Sequence, residues 1–309
     1  MNKDIRFSKS ATIFSSKESL WSVLLSGQLY ENAWSAQLET TWEAGTDIRF
    51  YGIWEGVKYF DKGVILVNDK YKTIQFSYWS SFWDVNDLPE EYCFITFKID
   101  ALDDMTCECS ITQDGFRDKI HYAETKLLLT KTLDTLKLEA EKISLASLAN
   151  KVFDKLILVI GSMAPGYYNN SFRDSWTPGQ IAEHIISSSS GLTQFFGDAT
   201  TPSGRYDQNV PSIRAMLLDT THKLKAPDAL VPPIKMYDGR HQMEQLRVIK
   251  NELEHCIKTL DFAGKCESYP MPPFGLMSVF EWLTFTVYHI ARHTSHLELL
   301  MKKHSAYRI

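Results

Sequence analysis

Three histidines, His289, His293 and His296, stand within eight residues of the segment FTVYHIARHTSHLELL (285–300). On a helix, residues three and four apart share one face, so all three imidazoles fall on one stripe. Two imidazoles so placed can approach one divalent ion at metal–nitrogen distances of about 2.0–2.1 Å. The same spacing also occurs on solvated helices, where the rings simply face water. Three features favour the metal. The stripe runs among apolar residues (Trp282, Phe285, Ile290, Leu297), where an unpaired imidazole is costly to bury. The segment closes a helical region, and a facing helix of a bundle can supply a further ligand. Upstream, WTPGQIAEHI (176–185) sets His184 on an otherwise apolar helix face, beside Ile181 and Ile185. Three neutral imidazoles leave a divalent ion doubly charged with at least one open position, the arrangement of catalytic rather than structural sites. Such a position can bind water and lower its pKa, or hold a thiolate. The remaining histidines, His121, His222, His241, His255 and His304, have polar neighbours and are expected at the surface.

The elements that must carry these residues divide the chain in two. Up to about residue 118 the pattern is mostly period two. DIRFYGIWEG, VKYFDKGVILVN, KTIQFSYWS, YCFITFKID and MTCECSITQ are separated by the turn signals EAGTD, NDK and ALDD, which predicts an antiparallel meander. SKESLWSVLLSG (16–27) reads as a helix capped by Ser16 and ended by Gly27. A long helix is expected over 120–142, with Leu127, Leu128, Leu133, Leu136 and Ile143 near helical spacing. Beyond it the strands stop. Helices are expected over 143–163, 177–197, 240–260 and 278–304, with a short one near 211–223. Thr177 makes a good N-cap, with Pro178 at the first helical position. The fold class is therefore α+β in two domains, residues 1–142 and 143–309, the second all-α.

Composition sets the outer limits. The chain has 309 residues, 44% hydrophobic and 23% charged, with a net charge of -5. Nothing in that balance favours nucleic acid. No apolar stretch approaches the length of a membrane span. The polar start MNKDIRFSKSATIF is unlike a signal peptide, so the cytoplasm is the expected compartment. Five cysteines without a CxxC pair read as reduced thiols, with Cys107 and Cys109 packing on one strand face.

Two resemblances sharpen this reading. A helix, a curved meander and a closing long helix resemble the helix-grip fold of START-like (SRPBCC) proteins. FSYWSSFWDVNDLPEEYCFITFKI (76–99) is similar to the corresponding segment of heat-shock ATPase activator-like members. That resemblance implies a cavity for an apolar ligand, which Trp34, Trp54, Trp79 and Trp83 could line; these rings could equally fill the core. WTPGQIAEHI and YHIARH, with MPPFGLMSVFEWL between them, resemble the DinB-like (YfiT-like) four-helix metalloproteins. Carried over, the resemblance implies His184, His289 and His293 as ligands. His296 stands where many relatives have Gln, as a fourth ligand or a support for the other three. It also implies a zinc or nickel ion, a small-molecule substrate or a low-molecular-weight thiol, and a homodimer. The activity would be that of a metal-dependent transferase or hydrolase. The alternative is a ligand-binding or stress-related accessory protein with a structural metal.

Overall fold

The structure is a computed structural model. It describes residues 2–171, 175–197, 199, 205–221, 224–267 and 269–306, the side chains of 2–4 and 303–306 excepted. The chain divides into two compact units, Met1–Ser144 and Leu145–Ile309.

The first unit is a seven-stranded antiparallel sheet with strand order β1-β7-β6-β5-β4-β3-β2. The strands are β1 (Asn2–Ile13), β2 (Ala36–Thr40), β3 (Asp47–Trp54), β4 (Val57–Asp69), β5 (Thr73–Ser80), β6 (Cys93–Asp103) and β7 (Thr106–Phe116). Two short helices, α1 (Lys17–Leu24) and α2 (Gly27–Trp34), join β1 to β2. The meander is as expected, with β1 and β2 added at its two edges. Ser16 caps α1 by accepting from the Ser19 N–H at 3.2 Å. Gly27 opens α2 rather than ending α1, because Ser26 supplies a second N-cap immediately before it. Glu55 and Gly56, both at positive φ, form the two-residue turn between β3 and β4.

The long helix α3 spans Lys119–Gly161 without a break, where two helices meeting near residue 143 were expected. No Gly or Pro interrupts residues 119–160, so nothing in the backbone chemistry ends it. Residues 119–144 pack in the first unit, with Leu129, Leu133, Leu136 and Ala140 in its core. Of the expected stripe, Leu133 and Leu136 are in the core and Leu128 packs against it, whereas Leu127 is 73% exposed and Ile143 is also exposed. The tryptophans do not act alike. Trp34 is buried, packs on Phe50 at 4.8 Å and donates to Thr132 Oγ1 at 2.7 Å, as a core filler. Trp79 and Trp83 are half-buried. Trp54, expected at a cavity, is 53% exposed at the β3–β4 hairpin end. The five cysteines are free and buried, and burial raises the Cys107 thiol to about 11, which suits packing rather than reactivity.

The second unit is helical. It comprises residues 145–161 of α3, then α4 (Pro165–Tyr168), α5 (Pro178–Ser189), α6 (Leu192–Phe195), α7 (Val210–Leu218), α8 (Gly239–Thr259) and α9 (Val279–Ala306). The expected helix 177–197 is split, because Gly191 at φ 74° separates α5 from α6. Ion pairs tie the main helices together: Lys250 to Asp154 at 2.7 Å and Lys155 to Glu298 at 2.8 Å. Among the described residues no helix is long and apolar enough to cross a membrane.

Candidate metal centre

Two helices bring the histidines together. α5 starts with a full capping box: the Thr177 hydroxyl accepts from the Gln180 N–H at 3.1 Å, and the Gln180 amide oxygen accepts from the Thr177 N–H at 3.0 Å. This fixes the first turn, and with it the direction in which His184, on the helix's buried face, points. Gly179 permits close packing here, since a Cβ would lie 2.8 Å from Cβ of Tyr237. α9 begins the same way: Ser278 Oγ accepts from the Glu281 N–H at 3.0 Å, and Glu281 Oε2 accepts from the Ser278 N–H at 3.0 Å. The other Glu281 oxygen accepts from the Asn209 N–H at 2.7 Å, anchoring the start of α7 to α9.

His184, His289 and His293 each offer a ring nitrogen to one point, all within 4.8 Å of one another. His289 Nε2 lies 3.2 Å from His184 Nε2 and 3.1 Å from His293 Nε2. Tetrahedral ligands about 2.0–2.1 Å from one ion stand about 3.3 Å apart, so both spacings fit a common ion. The protons agree. His184 Nδ1 faces the Leu230 carbonyl at 2.9 Å, which only accepts, so Nδ1 carries the hydrogen and Nε2 a lone pair. A single proton on His289 Nε2 would have to serve two neighbours, and His293 Nδ1 is buried without a protein partner. A cation at the centre would engage all three lone pairs at once. Burial, then the charge of its neighbours, lowers His289 to about 3 and His293 to about 2. Both are therefore neutral, as metal ligands must be, at any ordinary pH.

His296 is not in this cluster. Seven residues of rise place it about 10.5 Å along the axis from His289, and it is exposed. His241 and His255 are exposed as expected, His222 lies outside the described residues, and so does the side chain of His304. His121 is a correction. It is 3% exposed, packed between Trp83 (4.7 Å) and Phe116 (5.4 Å), and its Nδ1 accepts from the Arg117 N–H. Asp118, Lys119 and Glu124 stand near it in sequence, but Trp83, distant along the chain, covers it. One positioning feature was not legible, the Leu230 carbonyl, which fixes the His184 tautomer; Trp176, which opens the WTPGQIAEHI motif, proves to lie with its ring 5.1 Å from that imidazole.

A second polar cluster lies in the first unit. Asp61 on β4 is 4% exposed and accepts from Tyr78 Oη at 2.5 Å, Ser80 Oγ at 2.7 Å and the Ser81 N–H at 3.0 Å. Burial raises its pKa, against the lowering effect of these donors.

Comparison with known proteins finds two families, whose matches overlap over residues 129–141 of the long helix. Residues 129–297 match the profile of the DinB superfamily, and residues 15–141 that of Activator of Hsp90 ATPase homolog 1-like protein. No curated protein matches the chain. A protein from Cytophaga hutchinsonii, known from its solution structure, is similar at 26% identity and TM-score 0.39, over 44% of this chain and 94% of its own. A crystal structure from Chromobacterium violaceum is similar at 15% identity and TM-score 0.39, over 45% of this chain and 98% of its own. The solution structure of the Aha1 dimer from Colwellia psychrerythraea is similar at 14% identity and TM-score 0.36, over 44% of this chain and 96% of its own.

Proposed function

We propose, for a chain that belongs to the DinB superfamily over residues 129–297, that His184, His289 and His293 hold one divalent transition metal ion. Zinc or nickel best suits an all-imidazole set. On this reading the protein is a metal-dependent transferase or hydrolase acting on a small molecule, with a low-molecular-weight thiol as a candidate co-substrate. The observation that carries it is the convergence of three Nε2 atoms from two helices, with spacings of 3.2 and 3.1 Å. When bound, the ion would supply a Lewis-acidic open position able to activate water or hold a thiolate. The chain's own contribution is placement. The Leu230 carbonyl holds the proton of His184 on Nδ1. Phe285 stacks on His289 at 5.7 Å and Trp176 flanks His184, restricting both rings. The cluster found among the described residues has three protein ligands, which supports an exchangeable fourth position over a sealed structural site.

The test is elemental analysis after dialysis. Wild type and His296→Ala are expected to retain about one ion per chain, while His184→Ala, His289→Ala and His293→Ala lose it. Full retention by His184→Ala would remove the proposal. Cobalt substitution then probes the open position: thiol addition should change the visible spectrum of the wild-type protein, and an unchanged spectrum would favour the structural alternative.

A further inference from the structure

Helix α8 buries one face and carries a charged stripe on the other. Gln242, Leu246, Ile249, Leu253, Cys256 and Ile257 are buried. Arg240, Glu244, Arg247, Asn251, Glu254 and Lys258 follow one another at steps of four and three, so they share the opposite face. All are exposed except Glu254, which is half-buried. One flank of the stripe borders an open groove of about 680 Å³ against α3, lined by Asp154 and Leu158 from α3 and by Arg247, Lys250, Asn251 and Glu254 from α8. Leu158 in the groove is 72% exposed, and Val248, beside the stripe, is 65% exposed.

Within the groove Lys250 pairs with Asp154 at 2.7 Å. The stripe charges differ. Among the described residues, the side chains of Arg240, Glu244, Arg247, Glu254 and Lys258 make no ion pair or hydrogen bond. Their order is self-complementary. Counting outwards from Asn251, Arg247 answers Glu254, Glu244 answers Lys258, and Arg240 answers Asp261 just beyond the helix end, each pair opposite in sign. A second copy laid antiparallel across a two-fold axis at Asn251 therefore sets each charge against its opposite. By helical rise, Glu244 and Lys258 of the second copy fall at one height, and Arg247 and Glu254 of the second copy within about 1.5 Å of it. Arg247 and Glu254 both border the groove and so lie on one flank, and the two-fold axis carries that flank onto itself. A parallel copy in the same register sets like charges together, which is repulsive.

We infer that this face of α8, with Leu158 of α3, is an interface for a second copy of this chain, packed antiparallel about a two-fold axis at Asn251. The partner is a copy because a two-fold contact needs a patch that complements itself, and this stripe does so charge by charge. Leu158 and Val248 supply apolar surface for it to cover. The inference stands apart from the metal reading, since the three imidazoles lie on α5 and α9.

The test is sedimentation equilibrium on the full chain at micromolar concentration. Wild type should be a dimer whose association weakens as salt rises. Arg247→Glu or Glu254→Arg alone sets like charges across the axis twice, and each should weaken association about 10-fold or more. The double variant R247E/E254R restores both pairs with signs exchanged, and should return to within about 3-fold of wild type. Cross-linking checks the register without altering those charges. The native cysteines are buried. Asn251→Cys should give a disulfide-linked dimer with diamide, because the two thiols meet at the axis. Glu244→Cys, about 10.5 Å from the axis, should not. Four results would each overturn the inference: a monomeric wild type, a dimer indifferent to both single reversals, a double variant as weak as the singles, or equal cross-linking from positions 251 and 244. Should a charge reversal fail to fold, the two cysteine variants decide alone.

Discussion

At the scale of single residues, burial decides what each titratable group can do. His121 illustrates this. Burial, reinforced by Arg117, lowers it from the ordinary 6.5 to about 4. Folding therefore favours its neutral form. The stability it contributes is complete above about pH 6.5 and is lost as pH falls from there towards 4. His121→Phe keeps a ring between Trp83 and Phe116 without a titrating nitrogen. Denaturation of the first unit should thus depend less steeply on acid in this variant than in wild type. An equal loss of stability in both proteins between about pH 7.5 and about pH 5 would show that other groups control the response. Asp61 makes a second case. Its three neutral donors are all oriented towards one carboxylate. Asp61→Ala leaves them without an acceptor and should cost on the order of 3 kcal/mol, measured by denaturant titration.

At the scale of elements, close backbone approaches and helix caps set where side chains point. Gly63 sits on the inward row of β4, and a Cβ there would fall 1.6 Å from the Ser77 carbonyl oxygen of β5. Gly63→Ala must therefore part the two strands. The expected outcome is loss of soluble folded protein, or a first unit whose circular dichroism lacks its sheet signal. The caps act more gently. Thr177→Ala removes one hydroxyl acceptor from the start of α5 and should cost about 1 kcal/mol. Glu281→Ala should cost more than Thr177→Ala, because the same carboxylate serves both α9 and the start of α7. Comparing the two denaturation midpoints checks that order.

At the scale of the whole molecule, the units have different chemistry, and a metal should act on one of them. A ligand that binds only the folded state stabilises it by about 2.7 kcal/mol at a hundred times its dissociation constant. Hydrogen exchange with and without zinc should accordingly show added protection in α5 and α9 and none in β6 and β7. His289→Ala should abolish the difference. Equal added protection in the strands would mean that the metal acts on the chain elsewhere than at the three imidazoles.

The sequence by itself determined the pattern-borne features. The i, i+4 spacing of His289 and His293 fixes a shared helix face whatever surrounds it. The cap at Thr177 and the period-two runs of β3 to β7 are likewise local chemistry. The edge strands were harder. In β1 Lys9 falls on the same row as Phe7 and Ala11, where it pairs with Asp134, and β2 spans only Ala36–Thr40, so neither carries a strong alternating signal. Only tertiary structure could decide the rest, because it depends on partners remote in the chain. His296 shares the stripe of His293 yet sits outside the cluster, since α5 presents a single imidazole at one height along α9. His121 is buried by Trp83, and Trp54 is left exposed at a hairpin end, although composition treats every tryptophan alike. The Leu230 carbonyl is invisible in any residue pattern, because every residue has one. It becomes specific only when the fold carries it to within 2.9 Å of His184.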